Sequence, residues 1–182
     1  MDYAALVASV VALLIAVFGS EISYKRSNLI AEKVLVKTWH NNVLYIRLAV
    51  KNEPKVINRV EAKQVEVNVV EKTNKKAITN NFVPAPLEWT HPTSNDNLTQ
   101  RSIRPNQTAL LDICRWYKPP NNNRHLLMIR APHVDNTDIT NVDVGDTKLK
   151  LSVYQASGQK LDWTIKINWP DTESEPKVKF LS

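Results

Sequence analysis

Val43 to Asn52, VLYIRLAVKN, alternates without a break. Leu44, Ile46, Leu48 and Val50 fall on one face of an extended chain, and Tyr45, Arg47, Ala49 and Lys51 on the other. A helix face repeats about every 3.6 residues, so this period of two marks an antiparallel strand with one face in a core. The pattern recurs along the chain. Ala62 to Lys72 sends Val65, Val67 and Val69 inward and Gln64, Glu66 and Asn68 outward. Leu149, Leu151 and Val153 alternate, and Trp163, Ile165, Ile167 and Trp169 share a face. The punctuation matches: Asn41-Asn42 and Ser157-Gly158 tolerate positive φ in tight turns, and the prolines at 54 and 170 stop strands because they cannot donate to a ladder.

Further strands are expected at Lys33–Trp39, Ala109–Tyr117 and Leu126–Ala131, the last as a short buried strand. Ala77–Val83 returns as a short strand that Pro84 and Pro86 confine to an edge or loop, and Leu87–Trp89 makes a brief apolar touch. His91–Gln100, Lys118–Arg124 and Pro132–Asp146 read as loops, and the residues from Asp171 as a polar tail. Lys72, Lys75 and Lys76 read as a solvated hairpin tip. About eight strands with turn signals between them predict an all-β, antiparallel β-sandwich, immunoglobulin-like in the loose sense. Trp39, Trp89, Trp116, Trp163 and Trp169 are expected to supply much of its core.

The N-terminus is of another kind. Ala4 to Phe18, AALVASVVALLIAVF, carries no charge. Leu6, Val10, Leu13, Leu14, Ile15, Val17 and Phe18 supply much of its apolar character, for an insertion free energy of about −3 to −5 kcal/mol. A cleaved signal peptide would start with basic residues, whereas Asp2 is the one charged side chain before the run. The expectation is a single-pass transmembrane anchor with its juxtamembrane helix over 1–28, and one β-sandwich domain over 29–182. Lys25, Arg26 and Lys33 follow the anchor and no Lys or Arg precedes it, a bias toward the cytoplasmic side for the domain that leaves the extracytoplasmic side open. Lys25 and Arg26 would meet lipid headgroups first.

Composition narrows the chemistry. The net charge of +6 permits anionic contacts without specifying nucleic acid. One cysteine, Cys114, rules out an intramolecular disulfide and reads as a small core hydrophobe. Three glycines, at 19, 145 and 158, are too few and too scattered for a phosphate-cradling loop or a GxSxG elbow. Four histidines make no HxH or HExxH, and the loose set His133, Asp135, Asp138 and Asp143 lacks the glycine and terminal Glu of a calcium loop. No metal, cofactor or catalytic residue is assigned, and no small-molecule ligand is indicated. Asn97-Leu98-Thr99 and Asn106-Gln107-Thr108 match the glycosylation sequon. One aromatic–basic cluster stands out as a ligand contact: Arg115, Trp116, Tyr117 and Lys118, which could stack on a sugar or a base unless its aromatics pack inward.

YIRLAVKN (Tyr45–Asn52), followed by the Val-rich strand Val65–Val69, resembles the opening strand, LRLxVxN, of membrane-proximal β-sandwiches in prokaryotic proteins of unknown function. PLEWTH (Pro86–His91), LLDICRW (Leu110–Trp116) and INW (Ile167–Trp169) resemble later segments of such proteins. The resemblance implies a tethered sandwich and no activity. Together these features predict a membrane-tethered, non-catalytic interaction or scaffold module whose partners are the bilayer and a protein. The alternative is an accessory structural subunit of a larger membrane assembly, packed through small residues of its helix such as Ala4, Ala8 and Ala12.

Overall fold

The computed structural model describes residues 27–53, 60–74, 77–78, 82–90, 97–132 and 134–182. Its strands in chain order are β1 (Leu29–His40), β2 (Val43–Asn52), β3 (Ala62–Asn74), β4 (Ala77–Ile78), β5 (Ala85–Pro86) and β6 (Glu88–Trp89). Then follow β7 (Gln100–Ile103), β8 (Thr108–Tyr117), β9 (Leu126–Ile129), β10 (Gly145–Tyr154), β11 (Lys160–Trp169) and β12 (Lys177–Phe180). One short helix, α1 (Thr137–Thr140), precedes β10.

All pairings are antiparallel and form two sheets. The first runs β1-β2-β8-β6, with β9 also on β8; the second runs β12-β11-β10-β3-β4, with β5 and β7 also on β3. The Asn41-Asn42 turn joins β1 to β2 with φ of 48° and 62°, the left-handed pair that a two-residue hairpin of this twist needs. Gly158, at φ 78°, serves the β10–β11 hairpin in the same way.

One continuous core lies between the sheets. Leu44, Ile46, Leu48 and Val50 of β2 and Leu111 of β8 meet Val65, Val67 and Val69 of β3, Leu149 and Leu151 of β10 and Ile165 of β11, all at 0% exposure. Each such side chain contributes about 1.5–3 kcal/mol on burial. Trp89 crosses between the sheets, its Nε1 donating to Val65 O at 3.1 Å.

Several expectations are corrected. Lys72 is not at a solvated tip: it is 4% exposed. Its Nζ donates to Asn141 O at 2.9 Å, to Ile139 O at 3.3 Å and to Asp138 O. The loop over 132–146 therefore holds α1, whose final carbonyls converge on an internal ammonium. Trp39 is 55% exposed rather than in the core, because it lies one residue from the end of β1, at the rim of the sheet. The stretch from Asp171 is not only a tail: β12 pairs with β11, and Phe180 meets Trp163 edge-on at 6.4 Å. β9 is a half-buried edge strand rather than a fully buried one. Packing also begins before residue 29, since buried Ser27 bonds Gln155 and Asn28 O accepts from Glu53 N at 2.8 Å.

Candidate functional site

The alternation in β2 implies a wet outer face, and the structure departs from that at the small residue Ala49 and at one charged residue, Arg47. Arg47 is 9% exposed and its cross-strand neighbour Asp112 is 5% exposed. Register explains how they meet. Glu88 of β6 pairs Asp112 of β8, and Asp112 pairs Arg47 of β2. Directly opposed residues of antiparallel strands project to the same side. The three therefore form a row across the outer face of the first sheet, with Leu48, Leu111 and Trp89 behind them in the core.

A bulge sets this row apart. Ile46 pairs Cys114 while Arg47 pairs Asp112, which leaves Ile113 as the extra residue in β8. Both Ile113 and Cys114 are thereby buried. Beside the bulge, β9 and β6 share one edge of β8 end to end: Arg130 N donates to Ile113 O at 3.0 Å, and Glu88 N to Arg130 O at 3.2 Å. That junction brings Arg130 to Glu88.

Two ion pairs result. Arg47 Nε donates to Asp112 Oδ1 at 2.7 Å, and Thr90 Oγ1 donates to the same oxygen at 2.5 Å. Arg130 Nε lies 2.6 Å from Glu88 Oε2, a close ion contact that lacks the alignment of a hydrogen bond. The Arg47 guanidinium also sits 5.0 Å from the Tyr45 ring centroid. These groups floor a cleft of about 350 Å³ walled by Thr38, Trp39, His40 and Tyr45. On the core-facing side of the same sheet, where Trp39 and Trp116 both oppose Leu44, Trp116 meets Trp39 edge-on at 6.0 Å and stacks on His125 at 4.1 Å.

The aromatic–basic cluster read from the sequence is split by its strand. Trp116 is buried on the inner side, its Nε1 without a partner among the described residues. Arg115 and Tyr117 stay half-buried on the other side, with the guanidinium 4.9 Å from the Tyr117 ring, and Lys118 is exposed beyond the strand end. Asn97 and Asn106 of the two sequons are exposed. Burial and the nearby Asp112 push the Cys114 thiol up to about 12. Burial likewise lowers the Lys72 ammonium from its ordinary value, against Asp143 and Asp138, which favour its charge.

The anchor residues Ala4 to Phe18, with Lys25 and Arg26, lie outside the described residues. Among the described residues no helix is long and apolar enough to cross a membrane, and no three His, Cys, Asp or Glu side chains gather as metal ligands. His133 lies outside them; Asp138 and Asp143 flank the Lys72 ammonium. The sequence reading missed the cleft residues Arg47, Glu88, Thr90, Asp112 and Arg130. Its available signal was a lone acid, Asp112, inside the apolar run ALLDIC. Compared with known proteins, the chain matches no family model, no curated protein and no solved structure.

Proposed function

We propose that this chain is a single-pass membrane-tethered recognition module: an immunoglobulin-like sandwich, held at the cytoplasmic face by Ala4–Phe18, that binds through the outer face of its first sheet. The observation that carries the reading is the pair of half-buried to buried ion pairs gathered in one concave site. Such pairs are weak sources of stability, because well-packed apolar residues of equal volume do as well or better. Four charged side chains held in fixed geometry at the floor of a cleft are a recognition surface.

Strand order supports the immunoglobulin-like assignment. β1-β2-β8-β6 opposite β11-β10-β3 follows the order A-B-E-D opposite G-F-C. The tether rests on the apolar run, and the cytoplasmic side on Lys25, Arg26 and Lys33.

The test uses the full chain in its native membrane. A photo-crosslinking residue replaces Thr38 at the cleft, or Val83, which is exposed elsewhere. The chain is expected to resist alkaline carbonate extraction and to form discrete adducts from position 38 and none from position 83. Release by carbonate would overturn the tether, and equal adducts from both positions would overturn the cleft as the recognition face.

A further inference from the structure

We infer that the outer face of the second sheet, where Lys148, Lys166 and Lys179 stand in one cross-strand row, docks on an anionic phospholipid surface and so turns the cleft of the first sheet away from the bilayer. The face is separate from that cleft, and the recognition-module reading enters only through the tether that keeps a bilayer near.

Register builds the face. Lys148 of β10 pairs Lys166 of β11, and Lys166 pairs Lys179 of β12. Directly opposed residues share a side, so three ammonium groups line up across three strands, an arrangement that repels itself. One row along, Lys177 pairs Asn168 and Asn168 pairs Asp146. One row the other way, Lys150 pairs Thr164, whose carbonyl accepts from Leu181 N at 2.8 Å. The intervening residues Leu149, Leu151, Ile165 and Ile167 are buried in the core, so the lysines face out.

Lysine outweighs acid on this grid. Asp146 lies 3.3 Å from Lys166 Nζ and accepts from Asn168 Nδ2 at 2.7 Å. Glu71, which pairs Lys150, stands at the border on β3. Lys148, Lys150, Lys177 and Lys179 are exposed and make no ion pair among the described residues. A hollow of about 460 Å³ opens between Lys166, Lys177 and Lys179, with Leu181, 50% exposed, on its wall. Charge of one sign beside an exposed apolar side chain complements an anionic leaflet, where phosphates overlie acyl carbon. Each lysine near such a surface strengthens binding about fivefold. No arginine fork and no aromatic ring stands in the grid, so it suits a dense anionic surface and lacks the groups that stack on or read a base.

The placement suits a tethered domain. Ser27, next to the tether, bonds Gln155 just past the end of β10, and Lys148 lies seven residues before Gln155, roughly 23 Å along the strand. A domain upright on its tether would hold the row that far from the headgroups, whereas a domain lying on its second sheet brings the row onto them. The two sheets enclose one core, so their outer faces look in opposite directions. Lying on the lysine face therefore leaves Arg47, Asp112, Glu88 and Arg130 open to solvent.

The experiment acetylates the amines of the full chain with an uncharged succinimidyl ester and reads each lysine by peptide mass spectrometry. The chain sits in nanodiscs of phosphatidylcholine alone, or of equal parts phosphatidylcholine and phosphatidylglycerol. At about 0.1 M salt, acetylation of Lys148, Lys150, Lys177 and Lys179 is expected to slow by about threefold or more in the anionic discs, and about 1 M salt, where the screening length is about 3 Å, should restore it. Lys118, exposed beyond β8, should react alike in both discs, and buried Lys72 should stay slow in every sample as the check on folding. Lys148→Glu with Lys179→Glu should return Lys150 and Lys177 to their neutral-disc rates. Equal rates in both discs, protection of Lys118 as strong as that of the row, or protection that survives the double variant would overturn the inference. So would a short RNA or polyglutamate that protects the row in neutral discs at a lower concentration of anionic groups than phosphatidylglycerol needs. If the chain does not co-elute with neutral discs, the tether falls. The footprint is then read with the chain added to phosphatidylglycerol vesicles, where protection of the row upholds the inference and its absence ends it.

Discussion

Replacing Asp112 by alanine tests whether the cleft floor is held as described. Asp112 is 5% exposed and one of its oxygens takes both the Arg47 Nε at 2.7 Å and the Thr90 hydroxyl at 2.5 Å. The substitution strands a guanidinium that is 9% exposed. Breaking a buried pair from one side costs about 3–5 kcal/mol, and the opening to the cleft puts this case near the lower end, about 3 kcal/mol. That is a large share of the roughly 5–15 kcal/mol that holds a domain together, and corresponds to a fall in Tm of about 6–12 °C. The double variant Arg47→Met, Asp112→Leu removes both charges and keeps the volume, so it should recover most of the loss. Urea denaturation followed by tryptophan emission gives all the free energies of a cycle completed by Arg47→Met and Asp112→Leu. A coupling of about 2–3 kcal/mol is expected. A loss below about 1 kcal/mol for Asp112→Ala, or a double variant no more stable than its parents, would refute the buried pair.

Further outcomes follow from two buried titratable groups. The Cys114 thiol, raised from 9.0 to about 12, should resist iodoacetamide at pH 8 by at least ~10³ relative to the urea-unfolded chain, from thiolate fraction alone. Between those two values the folded chain keeps a proton that the unfolded chain releases, so stability should fall as pH rises, by up to about 4 kcal/mol near pH 12, with no such slope in Cys114→Ala. Lys72→Met should cost about 1–3 kcal/mol at pH 7, because the carbonyls ending α1 lose their donor. Lys72 has a folded-state value below 10.5, so just under that pH the unfolded chain binds more protons; the parent chain should gain on Lys72→Met as pH rises through that window, read by urea melts at several pH values.

The long strands were legible because period two is a local property. β2, β3, β10 and β11 each carry three or four apolar residues at alternate positions, and the Asn41-Asn42 and Ser157-Gly158 turns have the residues that their dihedral angles demand. Two-residue strands such as β5 and β6 have no period to read; they exist because β3 and β8 offer them ladders. β12 was illegible for a related reason. KVKF is too short and too charged to announce itself, and it pairs because β11 would otherwise end the sheet as a bare edge.

The cleft was hidden by the same rule that exposed the strands. Alternation assigns Arg47 to an outer face and stops there, yet whether that face is wet depends on residues 41, 43, 65 and 83 positions further on: Glu88, Thr90, Asp112 and Arg130. The bulge at Ile113 is what lets Asp112 face Arg47 while Cys114, two residues on, packs inward, and no local pattern encodes a skipped partner. Lys72 failed in the opposite direction. It belongs to a run of lysines, and a run suggests solvent, but its position on β3 places it under α1, where three carbonyls accept from it. In both places a charge of the strand face is buried by a segment distant in sequence. What a lone charge inside an apolar stretch such as ALLDIC does signal is that a partner must exist somewhere, because an isolated buried carboxylate would cost several kcal/mol. Read as a demand for a partner, Asp112 points to an arginine on a neighbouring strand, and Arg47 is the one outer-face arginine of β2, the strand with the clearest period in the chain.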